Sequence, residues 1–252
     1  MSGTESELLA AIEDLTAAIA AEITIIEEVP SLASALLPLI ETELGTISAL
    51  EVQLNDLICF MAGTMIATPD GEKAVETVQR GDLVMTTDGV SKPVSWLGRQ
   101  TVSTKFGDPL RVLPIRIKAG AIAENVPSRD LLVTPDHAIL VEGALIHAGA
   151  LVNGTSIVRE KAVPEVFTYY HVELDDHSLI LAENTPAETF VDNVDRLAFD
   201  NWAEHVALYP NGKEIVEMDY PRAKAARQVP VDIRVKLAGR AAEIGEVAAA
   251  VA

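Results

Sequence analysis

Cysteine is almost missing from this 252-residue chain, with Cys59 the single copy. One thiol cannot close an internal disulfide, which fits a reducing compartment or a sulfur that has to stay free. Basic residues are scarce as well, and none occurs before Lys73. The positive flank that a secretory signal peptide requires is therefore absent from the N-terminus. Long apolar runs are lacking too: Ala35 to Ile40 is short, and Glu13, Asp14, Glu22, Glu27 and Glu28 interrupt the first segment. No stretch reaches the roughly 20 apolar residues of a membrane-spanning helix. These absences predict a chain without a membrane span, either cytoplasmic or exported without a cleavable signal.

The charge balance removes another class of partner. A formal net charge of -19 opposes binding to phosphate backbones, which needs a clustered basic surface, so neither nucleic acid nor an anionic membrane is expected. Five histidines and one cysteine do not give ligand spacing for zinc, and no metal or cofactor is expected. What the chain does have is 49% hydrophobic content, ample for a sizeable core.

Three parts follow from period and composition. Over residues 1–57 the pattern is helical: Leu8, Ile12, Leu15, Ile19, Ile23 and Ile26 recur at three- and four-residue spacings. Pro30 and Ser31 break the run. A second stripe then runs through Leu36, Leu37, Ile40, Leu44, Ile47, Leu50, Leu54 and Leu57, with Pro38 expected near its first turn. Two acidic amphipathic helices make a hairpin with little core of its own, expected to pack on the next domain or on a second copy. Residues 58–200 read as a compact, mainly β body. Short β-rich runs (Thr64 to Thr68, Leu83 to Thr87, Val90 to Leu97, Leu131 to Val133, Ala138 to Val141, Ser156 to Val158, Tyr169 to Leu174, Ser178 to Ala182, Thr189 to Val191) alternate with glycine and proline turns. The tail, 201–252, is mixed and then helical from Asp232 onward.

Cys59-Phe60-Met61-Ala62-Gly63-Thr64, with Gly71, Val75-Glu76 and Gly81-Asp82-Leu83-Val84, resembles the opening of a Hint domain, the module of hedgehog autoprocessing regions and inteins. Thr134-Pro135-Asp136-His137 is similar to that family's TxxH motif. Tyr169-Tyr170-His171-Val172-Glu173-Leu174 and Glu188-Thr189-Phe190-Val191-Asp192-Asn193 are similar to its last strands. The wording is nearest to bacterial Hint-domain proteins outside ordinary inteins. The resemblance implies a horseshoe-shaped all-β fold and a self-processing reaction, with a polar catalytic residue at the place of His171.

The chemistry can be argued from the residues themselves. A peptide bond is held by resonance, so its cleavage needs an adjacent nucleophile, a proton for the departing nitrogen, and donors for the distorted amide. Cys59 follows Ile58 directly and can attack the Ile58 carbonyl through a five-membered ring. His137 suits the proton donor, Thr134 the hydroxyl that holds the distorted amide and its developing oxyanion, and His171 an assisting role. The expected product is an Ile58–Cys59 thioester, resolved by water or another nucleophile, in a single-turnover reaction whose substrate is the chain's own N-terminal segment. Inteins finish by cyclising an asparagine that precedes Cys, Ser or Thr. Here the possible C-terminal site is Asp192-Asn193, followed by Val194, so the acceptor is missing and complete splicing is not expected.

Each residue also has a plainer reading. Cys59 could be a small buried hydrophobe, Thr134 a β-former, His137 a core histidine and Asn193 a turn residue. The alternative is then a Hint scaffold without turnover, self-associating through its N-terminal helices. Asp176 and His177 read as a turn near the last hairpin, and His147 and His205 as structural.

Overall fold

The computed structural model describes residues 3–54, 58–190 and 199–251. Two helices open the chain, α1 (Gly3–Glu28) and α2 (Ala33–Leu54), joined by a short 3-10 turn at Pro30–Leu32. Pro38 lies inside α2 and not in its first turn. Ile19 and Ile40 are buried in the hairpin, whereas Ile23, Leu37 and Leu44 stay about half exposed. Among the described residues no helix is long and apolar enough to cross a membrane.

The β body then begins with β1 (Phe60–Met61), β2 (Met65–Thr68), β3 (Gly71–Ala74), β4 (Leu83–Met85), β5 (Ser91–Pro93) and β6 (Trp96–Ser103). A one-turn helix α3 (Pro109–Val112) precedes β7 (Ile115–Ile117), β8 (Leu131–Val133), β9 (Ala138–Val141) and β10 (Ala144–His147). The body continues through β11 (Ile157–Arg159), β12 (Val166–Glu173), β13 (Leu179–Ala182) and β14 (Thr185–Glu188). In the tail lie α4 (Trp202–Leu208), β15 (Arg222–Ala223) and α5 (Val231–Val251).

Among the described residues the strands form a six-stranded sheet in the order β11-β7-β8-β1-β12-β6, a seven-stranded sheet in the order β15-β10-β9-β14-β13-β2-β3, and the β4-β5 pair. The longest ladder runs from Val166↔Ser103 to Glu173↔Trp96 between β12 and β6. On β12, Phe167, Tyr169 and His171 are buried while Thr168 and Tyr170 are partly exposed, the period of two that a half-covered strand requires. Tight two-residue turns join β9 to β10 at Glu142-Gly143 and β13 to β14 at Glu183-Asn184, all four residues at positive φ. That twist matches the twist of the strands.

The last strand differs from the sequence expectation. Thr189 and Phe190 lie beyond β14, where their amides donate to Ser178 O (2.9 Å) and Val172 O (3.0 Å) outside any strand, and Val191 is outside the described residues. The strand is Thr185–Glu188 instead. It contains Pro186, yet β9 meets it at the one pair Ala187↔Ile139, so the missing proline donor falls off that ladder. The tail is part of the same core: Ala223, Val229, Ile233 and Leu237 are buried with Ile139, Val141 and Ile146.

Candidate active site

Strand register decides what surrounds the thiol. Phe60 on β1 pairs with Val133 on β8 and with Tyr170 on β12. Stepping back one residue on β1 is stepping forward one on each antiparallel neighbour, so Cys59 faces Thr134 on one side and His171 on the other. Because successive strand residues point to opposite faces, the Cys59 side chain leaves the face that Phe60 occupies. It enters a cluster with Ile58, Trp96, Tyr169, Phe190 and Phe199.

Thr134 to His137 forms a turn closed by His137 N to Thr134 O at 3.2 Å. Pro135 occupies the second position, where its fixed φ is an advantage, and Asp136 the third. The neighbouring segment clamps this turn through Gly149 N to Pro135 O (2.7 Å) and Ala148 N to His137 O (2.9 Å). Thr134 and His137 are thereby folded back together, and the ring of His137 packs on Phe60 at 4.3 Å between centroids.

The polar contacts converge on Cys59, whose N–H lies in the Ile58–Cys59 peptide and whose carbonyl lies in the next one. Cys59 N donates to Thr134 Oγ1 at 2.9 Å, and Thr134 N donates to Cys59 O at 3.0 Å. His171 Nδ1 lies 3.9 Å from Cys59 Sγ. His137 Nε2 lies 3.1 Å from the carbonyl of Glu188. A carbonyl only accepts, so Nε2 carries the hydrogen, and Nδ1 holds the lone pair of the neutral ring. That Nδ1 is buried without a hydrogen bond of ordinary geometry. The ring faces the Cys59 backbone, which favours its protonated form.

Burial sets the protonation states. Cys59 is fully buried, which pushes its thiol well up. Burial likewise holds the His137 pKa down at about 4, against the pull of the Glu188 carboxylate toward the cation. Tyr169, which donates to Val112 O at 2.9 Å, is raised first by burial and then by the nearby Cys59. The resting site is therefore neutral: a thiol, an imidazole and a phenol under aromatic cover. His171 is held edge-on to Phe190 at 4.8 Å and against Phe199 at 5.6 Å.

A Hint domain family model matches residues 58–194, more than half of the chain. The chain belongs to the Hint domain family. Among solved structures, this Hint chain is similar to the MchDnaB-1 intein, with 16% identity and a TM-score of 0.36 over 52% of this chain and 99% of the intein. A bacterial intein-like domain from Clostridium thermocellum gives 15% identity and a TM-score of 0.33 over 53% and 98% of the two chains. The AceL NrdHF class 3 split intein gives 13% identity and 0.36 over 54% and 98%. No curated relative matches the Hint chain.

The four catalytic candidates read from the sequence, Cys59, Thr134, His137 and His171, thus lie side by side with Ile58 at the end of β1. Asp192 and Asn193 lie outside the described residues. His177 is not an open turn residue: it is buried, with Nε2 3.4 Å from Glu188 Oε2 and Nδ1 accepting from Met218 N at 3.0 Å. His147 pairs with Asp136 at 3.4 Å, and His205 with Glu173 at 3.2 Å. Among the described residues no three His, Cys, Asp or Glu side chains are grouped to hold a metal ion. Sequence reasoning gave Glu188 no role, although its position in the last motif block was a usable signal. Its carbonyl meets His137 Nε2 and its Oε1 accepts from Ala138 N at 2.9 Å.

Proposed function

We propose that the protein cleaves its own backbone at Ile58–Cys59 through a thioester. Membership in the Hint family supports a self-processing function in general. The observation that carries the finer reading is the grip on Cys59, whose departing nitrogen bonds Thr134 while its sulfur lies beside His171.

The steps balance without a cofactor. His171 Nδ1 takes the thiol proton as Sγ attacks the Ile58 carbonyl carbon. The C–S bond forms, the C–N bond breaks, and Cys59 N takes a proton from His137 Nδ1, which the neutral ring first gains from solvent while His171 returns the thiol proton to solvent. The net transfer moves one proton from sulfur to nitrogen. Thr134 Oγ1 stands at that nitrogen, and so acts on the leaving group and not on the oxyanion. Water or another nucleophile then attacks the thioester, freeing a segment that ends at Ile58 and restoring the Cys59 thiol. With Val194 after Asn193, the reaction stops at this N-terminal cleavage. The released portion carries α1 and α2 and ends at Ile58, the processing unit of 58–200 is left beginning at Cys59, and 201–252 is a tail packed on it.

Hydroxylamine at neutral pH tests the reading, because it cleaves thioesters and spares amides. The full chain should yield a fragment ending in an Ile58 hydroxamate, at a rate independent of protein concentration. An intact chain under these conditions contradicts the proposal and leaves a Hint scaffold that acts by binding.

A further inference from the structure

Arg222 belongs to β15, beyond the residues that the family model covers. β15 runs parallel to β10 with Leu145 opposite Arg222 and Ile146 opposite Ala223, and β10 pairs in turn with β9, the strand that follows His137. From there Arg222 Nη2 donates to Glu188 Oε2 at 2.8 Å, while its Nε pairs with Glu217. Glu188 is completely buried, and the Arg222 side chain is only 15% exposed, so this is a desolvated charge pair and not a surface one.

Glu188 touches His137 on both sides. Its backbone carbonyl fixes ring Nε2, and its Oε1 holds the N–H of Ala138, the next residue in the chain. Its other oxygen, Oε2, is shared by Arg222 and His177. His177 accepts from Met218 N at Nδ1, and its Nε2 lies 3.4 Å from that oxygen. One carboxylate therefore distributes its lone pairs between the backbone of the catalytic turn and two side-chain donors. Remove Arg222 and the carboxylate loses its fixed cation, while the burial cost remains.

We propose that Arg222, supplied by the tail, is a positioning residue for the cleavage reaction, acting through Glu188 to hold His137 with Nδ1 toward the Cys59 peptide. The inference rests on the reading of His137 as the proton donor. Burial alone would raise the Glu188 pKa, but His177 and Arg222 outweigh it and bring it down to about 2, so the carboxylate is ionised throughout the working range. The charged or titratable side chains acting on the His137 ring are Glu188, which favours its cation, and His147, which opposes it, while the backbones of Cys59 and Glu188 also favour the cation.

The test uses the full chain, since Ala223, Val229, Ile233 and Leu237 are core residues and a truncated tail would not report on position. Cleavage after Ile58 is followed in the parent, Arg222→Met, Arg222→Lys and Glu188→Gln. In parallel, the His137 ring nitrogens are followed by NMR in full-length Cys59→Ala chains carrying the same changes. Arg222→Met should slow cleavage about tenfold, part of the factor a positioned acid contributes, and Arg222→Lys should recover most of it. The Nε2–H signal of His137 should move in Arg222→Met and stay in Arg222→Lys. Glu188→Gln should lower the His137 pKa below its parental value, because the carboxylate favours the cation. If Arg222→Met does not fold, Arg222→Lys and Glu188→Gln decide alone: a lysine variant with parental signals and a shifted His137 in Glu188→Gln support the inference. A parent that cleaves alongside an equally fast Arg222→Met, or a His137 signal and pKa unchanged in Arg222→Met and in Glu188→Gln, overturns it. Failure of the parent to cleave bears on the proposed function, and the NMR arm still decides the role of Arg222.

Discussion

Cys59 and Thr134 exchange hydrogen bonds across two antiparallel strands: the amide of Cys59 donates to the Thr134 hydroxyl at 2.9 Å, and the amide of Thr134 donates to the Cys59 carbonyl at 3.0 Å. The second bond is ordinary sheet pairing. The first replaces a backbone acceptor by a side chain, at the amide whose nitrogen leaves in the proposed cleavage. Thr134→Val keeps the shape but strands a buried N–H, and we expect a loss of about 1–3 kcal/mol in stability, together with slower cleavage. Thr134→Ser, which keeps the oxygen, should recover both. Urea unfolding of the two variants, each in a Cys59→Ala background, checks the stability difference.

The thiol should be inert to reagents in the native state. Cys59 is fully buried and its pKa is pushed up by that burial, so little thiolate is present and none of it is accessible. Iodoacetamide at neutral pH should label the folded chain at least about a hundredfold more slowly than the chain in denaturant. Equal rates would place Cys59 at the surface, contrary to the structure.

Acid should destabilise the fold through His137. Its pKa is about 4 when folded, against 6.5 for the free side chain, so between those values the unfolded chain binds more protons. The contribution of this group is fully present above pH 6.5 and is lost as pH falls toward 4. Glu188, lowered to about 2 from 4.5, adds a second loss below pH 4.5 by the same sign. Urea midpoints from pH 7 to pH 4 should fall, and the slope should flatten between pH 6.5 and 4.5 in His137→Gln.

Much of this arrangement could be read from the chain. Leu131 to Val133 and Ala138 to Val141 are strands at the bounds their alternation and flanking turns imply. The terminal helix and the proline-broken helical pair also follow from pattern. The turns at Glu142-Gly143 and Glu183-Asn184 were harder to see, because glutamate is not a usual left-handed residue. The carboxylate of Glu183 compensates by accepting from Met65 N at 2.7 Å and Arg129 Nε at 2.6 Å. Strand β14 was obscured by Pro186. The Glu188–Arg222 pair joins residues 34 positions apart in different segments, and no periodicity or spacing rule reports such a contact.

Packing over His171 gives another test. Gly98 lies opposite His171 in the β6–β12 ladder, and a Cβ there would come within 2.8 Å of both Trp96 and Phe199. Phe199 is one of the two rings packed on His171. Gly98→Ala should therefore cost about 1–3 kcal/mol by overpacking and displace the cover from the His171–Cys59 pair. Thermal unfolding checks the first effect, and faster iodoacetamide labelling of Cys59 the second.

Intact-mass measurement of the purified chain incubated with a strong small thiol tests the central claim most directly. The account predicts two species, a fragment whose last residue is Ile58, carrying the added thiol as a thioester or its free acid, and a remainder beginning with Cys59, neither of which forms from Cys59→Ala. A parent that stays at its full mass, or a Cys59→Ala chain that breaks at the same bond, would contradict it.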